Sequence, residues 1–349
     1  MLSENTILTR AVGTLCERLP DGWSAALDEV EPPGSAAGAD GVIRLRAPDG
    51  REAALVAEVR QRLDPRRATE LAADVQRRTG QRPALAIAPW MSPTTREILG
   101  AARINVLDLT GSVRLTLSAP GLFIETAGAE RDPWPEPSRV TLRGAKAARV
   151  VRALCAGRPP LGVRGLASEA GTTPGYVSKL LGLLDDQAAV QRTEGGQVGA
   201  VDLRRLLQRW AEDAPLEARA STTTWIAPRG LTDLLQKLRS TDARYAVTGS
   251  LAATRRAPVT APRLVSVYVD DPDAFARSAD LRPADAGANV LLLVPDDGYP
   301  LDGTWEDEGV RYAALPQVVA DLLSGPGRGP AEAEALLAWM SEHGEVWRG

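Results

Sequence analysis

Residues 163–196 read VRGLASEAGTTPGYVSKLLGLLDDQAAVQRTEGG. Val163 to Ala170 predicts a short helix with Leu166 and Ala167 turned inward. Gly171 then stands where a helix C-terminus calls for a left-handed residue. Thr173 is a good N-cap, and Pro174 suits the first helical position. Val177, Leu180, Leu181 and Leu184 follow at i, i+3, i+4 and i+7, the spacing of a buried helical face. The opposite face carries Tyr176, Ser178, Lys179 and Gly182, short or cationic groups that fit a major groove without clashing. Ala189 to Thr193 predicts a strand, Glu194-Gly195-Gly196 its tight turn, and Gln197 to Val201 the return strand. Two short helices, a tight link and a hairpin predict a winged helix-turn-helix. The plainer alternative is an αα-corner whose spacing serves packing alone.

Charge separates the two readings. Residues 139–212 hold 12 Lys/Arg against 6 Asp/Glu, a net of +6. The segment before carries −3 and the segment after −7, within a chain of net charge −4. One cationic island in an acidic chain, coincident with the helix pair, is the footprint expected of phosphate contact. The expected partner is double-stranded DNA. Thr173, Tyr176, Ser178 and Lys179 would approach base edges or neighbouring phosphates, and Arg192 would reach the minor groove from the wing. Arg143, Lys146 and Arg164 are phosphate candidates. Thr172 and the amides opening the second helix would hold another phosphate. A homodimer is expected, because a single winged helix reads few base pairs.

Outward from this centre the chain reads as an α/β multidomain protein of 349 residues, too long for one ordinary core. An apolar share of 44% is normal for a globular chain. No stretch approaches the roughly eighteen apolar residues of a membrane span, and MLSENTILTR lacks a signal-peptide core, so a cytoplasmic location is expected. Cys16 and Cys155 both fall at apolar helical positions and read as buried thiols. With His343 the only histidine, a His/Cys zinc site or a Ser-His triad has almost no raw material. No metal, cofactor or catalytic residue is therefore expected. Arg over Lys and an Ala/Gly/Pro richness suggest a high-GC bacterial source.

In residues 1–131, an amphipathic helix is expected in residues 1–20, with Ile7, Leu8, Val12, Leu15 and Leu19 on one side. A flexible break follows at Pro32 to Gly38. Strands are expected at Gly41 to Arg46, Ala53 to Arg60, Pro83 to Ala88, Asn105 to Leu109 and Val113 to Leu117. Helices are expected at Pro65 to Arg78 and, capped by Ser92, at Pro93 to Ala102. This order, with Asp40 before one strand and Glu58-Val59-Arg60 on the next, resembles the restriction-endonuclease-like fold. In that fold two carboxylates hold Mg²⁺ and a lysine orients or activates the attacking water. The third position here is Arg60, which cannot give up its proton, so the resemblance implies a nuclease-like scaffold without turnover. Arg60, Arg62, Arg66 and Arg67 form either a second basic patch or a solvated helix start.

Asp132-Pro133-Trp134-Pro135-Glu136-Pro137 is a stiff linker, placed at residues 132–138. The winged domain is expected over residues 139–214. It begins with a helix from Gly144 to Ala156 and ends with a helix from Leu203 to Asp213, capped by Asp202. That last helix turns Leu203, Leu206, Leu207 and Trp210 inward and Arg204, Arg205 and Arg209 outward.

Residues 215–349 alternate again. Strands are expected at Thr222 to Ile226, Arg244 to Ser250, Leu264 to Val269, Asn289 to Val294 and Val310 to Ala313. Helices are expected at Leu231 to Arg239, from Leu251 to Thr254, at Leu315 to Leu323 and at Ala331 to His343. The stretches Tyr245-Ala246-Val247-Thr248-Gly249-Ser250, Gly287-Ala288-Asn289-Val290, and Gln317 to Leu323 leading into Gly325-Pro326-Gly327-Arg328 resemble the C-terminal domain of the AbiEi-type family. Its members are antitoxin-like transcriptional regulators of type IV toxin–antitoxin systems. The resemblance spans roughly residues 220 to 345 and implies an autoregulating protein with a partner encoded nearby. In that family the DNA-binding module usually lies at the N-terminus, whereas here it is central. The strand–Gly-Ser–helix–strand order is also similar to the nucleotidyltransferase core, in which two alternating acids on the second strand hold Mg²⁺. The alternating positions here are Ser266 and Tyr268, with Asp270 past the strand. A Mg-dependent nuclease or nucleotidyltransferase directed to DNA is the enzymatic alternative.

Overall fold

A computed structural model describes residues 3–28, 40–78, 82–134, 140–325 and 327–348. The break expected at Pro32 to Gly38 lies outside the described residues, as do Pro135 to Pro137 of the linker. The chain is a mixed α/β protein that separates into two compact units, Met1–Ser138 and Arg139–Gly349. Among the described residues no helix is long and apolar enough to cross a membrane.

The first unit runs α1 (Glu4–Cys16), β1 (Ser24–Leu27), β2 (Gly41–Arg46), β3 (Glu52–Val59), α2 (Pro65–Arg78), β4 (Ala84–Ala88), α3 (Pro93–Ala101), β5 (Asn105–Asp108), β6 (Val113–Leu117) and β7 (Leu122–Thr126). Its seven strands lie in sequence order in one sheet. β3, β4 and β5 are parallel to one another, and every other pair is antiparallel. The period-2 alternation decides which helix covers which face. Leu85, Ile87 and Leu107 pack with Ile7, Leu8, Ala11 and Leu15 of α1. Ala84, Ala86, Ala88 and Val106 turn to the other face and meet Leu71, Val75 and Leu99 of α2 and α3. The central strands are therefore buried on both sides, as parallel strands require.

The first helix is shorter than its periodicity predicts. It ends at Cys16, and Pro20 precedes a turn whose Gly22 has φ +81°. Cys16 is exposed, correcting its reading as a buried thiol. It sits one position, about 100° around the helix, past Leu15 and so off the buried stripe. Cys155 is fully buried, and burial pushes its thiol up to about 12.

The second unit opens with α4 (Ala145–Ala156), α5 (Val163–Glu169), α6 (Pro174–Asp186), β8 (Val190–Arg192), β9 (Val198–Val201) and α7 (Leu203–Asp213). It continues with β10 (Ala220–Ile226), α8 (Leu231–Ser240), β11 (Tyr245–Thr248), α9 (Gly249–Thr254), β12 (Val265–Val269), α10 (Pro272–Ala279), β13 (Arg282–Pro283) and β14 (Val290–Pro295). It closes with β15 (Trp305–Asp307), β16 (Val310–Tyr312), α11 (Leu315–Leu323), α12 (Gly329–Glu342) and α13 (Gly344–Trp347). Seven of these strands make a mixed sheet in the order β13-β10-β14-β12-β11-β16-β15, while β8 and β9 form a separate hairpin.

One hydrophobic core runs through this whole unit. Leu154, Leu181 and Leu207 of the helical part belong to the same cluster as Val267, Leu292 and Val319 of the sheet part. Trp210 is fully buried, with its ring centroid 6.4 Å from that of Tyr299. Arg149 pairs with Asp297 at 2.5 Å, and Arg152 donates to the carbonyl oxygens of Tyr299 and Asp302.

Candidate nucleic-acid interface

The turn between α5 and α6 is built by the residues that announced it. Gly171 takes φ +58°, and the Thr172 amide returns to the Ala167 carbonyl at 2.9 Å. Thr173 Oγ1 accepts the Tyr176 amide at 3.3 Å, capping α6 directly ahead of Pro174. Such a cap stabilises a helix by about 1 kcal/mol. Val177, Leu180, Leu181 and Leu184 are all fully buried, which fixes the rotation of α6 and leaves Gly175, Ser178 and Lys179 exposed. Tyr176 is half-buried, and the burial pushes its phenol up. Thr172 is half-buried and Thr173 exposed at the mouth of the same turn.

The hairpin follows at once. Val190 faces Val201 and Gln191 faces Ala200, with a bulge between Gln191 and Arg192. Leu161 exchanges amide hydrogen bonds of 2.9 Å with Val198, an isolated antiparallel bridge that ties the segment before α5 to the hairpin. Gly196 turns at φ +75°, and Arg192 folds back over that turn, donating to the Gly196 carbonyl through Nε at 3.3 Å and Nη2 at 3.1 Å. Arg192 is thus half-buried against its own hairpin instead of extended from the tip.

The cationic island is largely engaged within the protein. Arg143 donates to the Asp213 carbonyl at 2.7 Å, and Arg158 pairs with Glu345 at 2.8 Å. The outward row of α7 is paired as well: Arg204 meets Glu334, Arg205 meets Asp202, and Arg209 meets Asp213. The row is thus tied into ion pairs while Arg204 stays exposed and Arg205 and Arg209 are half-buried. Of the described cations from 140 to 212, Lys146, Arg164 and Lys179 are exposed and have no acidic or carbonyl partner among the described residues.

In the first unit, Asp40 and Glu58 do come together, and Arg60 lies between them. Asp40 Oδ2 accepts the Val59 amide at 2.7 Å and Arg60 Nη1 at 2.9 Å, and Arg60 Nη2 reaches Glu58 Oε2 at 3.1 Å. Glu58 is buried and has Arg78 Nη2 at 3.2 Å on its other oxygen. Arg60 therefore holds the place between the carboxylates that a divalent cation would need. The suspected second patch resolves into further pairs, Arg66 with Glu70 and Arg67 with Asp64.

In the sheet of the second unit, Ser250 Oγ donates to Glu332 Oε2 at 2.5 Å, Ser266 lies beside Gly249, and Asp270 is exposed past the end of β12. What the sequence reading missed is a buried polar network beneath them. Asp321 accepts Arg219 Nη1 at 2.8 Å, Thr248 Oγ1 at 2.7 Å, Tyr268 Oη at 2.9 Å and Gln317 Nε2 at 2.8 Å. Arg219 also lies 5.1 Å from the Trp210 ring centroid. The signal was present in LPQVVADLL, where Gln317 and Asp321 stand four apart inside an otherwise apolar helix. Comparison with family models, with curated proteins and with solved structures finds no match.

Proposed function

We propose that this chain is a bacterial transcriptional regulator that binds double-stranded DNA through residues 140–214, used as a winged helix-turn-helix. The observation that carries the reading is the exposed face of α6. Thr173 and Pro174 begin it, Ser178 and Lys179 project from it, and Val177, Leu180, Leu181 and Leu184 turn the other way, with Leu183 half-buried at the margin. An α-helix held by its buried side with small and cationic groups outward is the form a major groove admits. Lys146, Arg164 and Lys179 are the cations with donors to spare for phosphates, and Thr172 and Thr173 stand at the amide-rich start of α6. Arg143 and Arg192 act mainly by holding the domain and the wing in shape.

Around this module, the first unit is read as a nuclease-like scaffold whose cation position is taken by Arg60. Residues 215–349 are read as an AbiEi-type domain that senses a ligand or a protein encoded nearby, the whole acting as a cytoplasmic homodimer. The test is a gel shift on the protein's own upstream DNA at several salt concentrations. Binding should weaken steeply with salt, and the Lys179→Ala, Tyr176→Ala double variant should bind at least tenfold more weakly. Parental affinity in that variant would remove α6 from the interface.

A further inference from the structure

Five flat groups from three separate stretches of the chain gather in the second unit. Tyr312 stacks on Trp305 of β15, with ring centroids 4.6 Å apart and planes 22° apart. The guanidinium of Arg256, in the loop after α9, lies 4.3 Å from the Trp305 centroid. It also lies 5.6 Å from the ring of Trp339 of α12, which itself stacks on His343 at 4.6 Å and 8°. The aromatic walls are fixed in turn. Trp305 Nε1 donates to the Ala313 carbonyl at 2.9 Å, and His343 Nδ1 lies 2.9 Å from the Trp339 carbonyl oxygen.

Two of the acids at this end of the sheet, Asp307 and Glu308, are already taken. Arg255, the preceding residue, holds Asp307 through Nε at 2.5 Å and Glu308 through Nη2 at 3.0 Å. The Arg256 guanidinium donates to no acceptor among the described residues, and the residue is half-buried, not sealed. A guanidinium so placed has its charge balanced on the ring faces by cation–π attraction. Its N–H donors all lie in the plane of the group, along its edge. That edge is a planar fork whose shape matches two oxygens of a carboxylate or phosphate, and it loses little freedom on binding because the rings already hold it.

We propose that Arg256, held against the rings of Trp305 and Trp339, is a receptor for a compact oxyanion, a phosphate or a carboxylate, taken on the edge of its guanidinium. The site is separate from the DNA-binding face of α6 and does not depend on that reading.

The test is isothermal titration of the full chain with inorganic phosphate, and in parallel with acetate, in chloride buffer at constant ionic strength. A saturable heat is expected for at least one of the two anions. Which one responds names the ligand class. Arg256→Gln should weaken that binding tenfold or more, and Arg256→Lys, which keeps the charge and loses the fork, should weaken it less. The Lys179→Ala, Tyr176→Ala variant should titrate like the parent, since phosphate bound at α6 would be lost there instead. No saturable heat with either anion in the parent, or an unchanged isotherm in Arg256→Gln, overturns the proposal. If Arg256→Gln does not fold by circular dichroism, the comparison rests on Arg256→Lys, whose isotherm must then differ from that of the parent.

Discussion

Asp321 shows what a single residue decides in this protein. It is 4% exposed, yet it meets four side chains, one of them the buried Arg219. Taking an ion pair out of water costs several kcal/mol, and here the offset comes from saturating the carboxylate with donors. Burial and the Asp321 charge together push the Tyr268 phenol well above its ordinary range, so the tyrosine remains a donor. Asp321→Ala would strand the Arg219 charge, and a loss of about 3–5 kcal/mol in unfolding free energy is expected. The paired variant Arg219→Met, Asp321→Leu removes both charges and should cost less than Asp321→Ala alone. Urea denaturation measures both, and a double variant less stable than the single one would refute this account of the pair. The sequence marked these residues only faintly, because a lone Arg at 219 reads as surface until its partner, about a hundred positions later, is folded against it.

Elements were legible in proportion to how local their signals are. α6 and α7 carry their own caps and apolar stripes, so Thr173 and Asp202 marked their starts within the sequence itself. β7, β13 and β15 are strands by virtue of a neighbour. Leu122–Thr126 holds register against Val113–Leu117, while Phe123 on its outer side is 66% exposed and dilutes the pattern. α10 was readable from Asp271 as N-cap before Pro272, and eight residues was too short for its periodicity to stand out. The Gly-Ser end expected of β11 instead opens α9, because Gly249 at φ +67° ends the extended chain. Within α6, Gly182 lies in line with Ser178 on the outer side, and a Cβ placed there meets nothing within 4 Å. Gly182→Ala should therefore stabilise the protein by about 0.5–1 kcal/mol through helix propensity alone. A shift of the urea midpoint to higher concentration at constant m checks it, and a destabilised variant would mean that this face of α6 is covered.

At the scale of the whole molecule, the arrangement of cores predicts which pieces of the chain stand alone. The clusters around Leu85 and around Leu71 draw only on residues before 138, and the large cluster only on residues after it. Composition placed a boundary at the proline-rich linker, and the two compact units divide there. The sequence places a second boundary at 214, where the winged module is expected to end, and there the core runs straight through. The end of the helix at Asp213 is a break in the helix, not a break in the packing. A fragment of residues 140–349 should fold cooperatively, with a melting temperature matching one transition of the full chain. If the proposed reading of α6 holds, this fragment should also bind DNA as the full chain does. A fragment of residues 140–214 would uncover Trp210 and strand Arg149, Arg152 and Arg204 without their partners beyond 290. Exposing a large buried side chain alone costs about 1.5–3 kcal/mol, a large share of what holds a domain of that size together. The short fragment should accordingly melt without a cooperative transition. Calorimetry of both fragments decides the matter: a sharp, reversible transition in residues 140–214 would mean that the helical module has a sufficient core of its own.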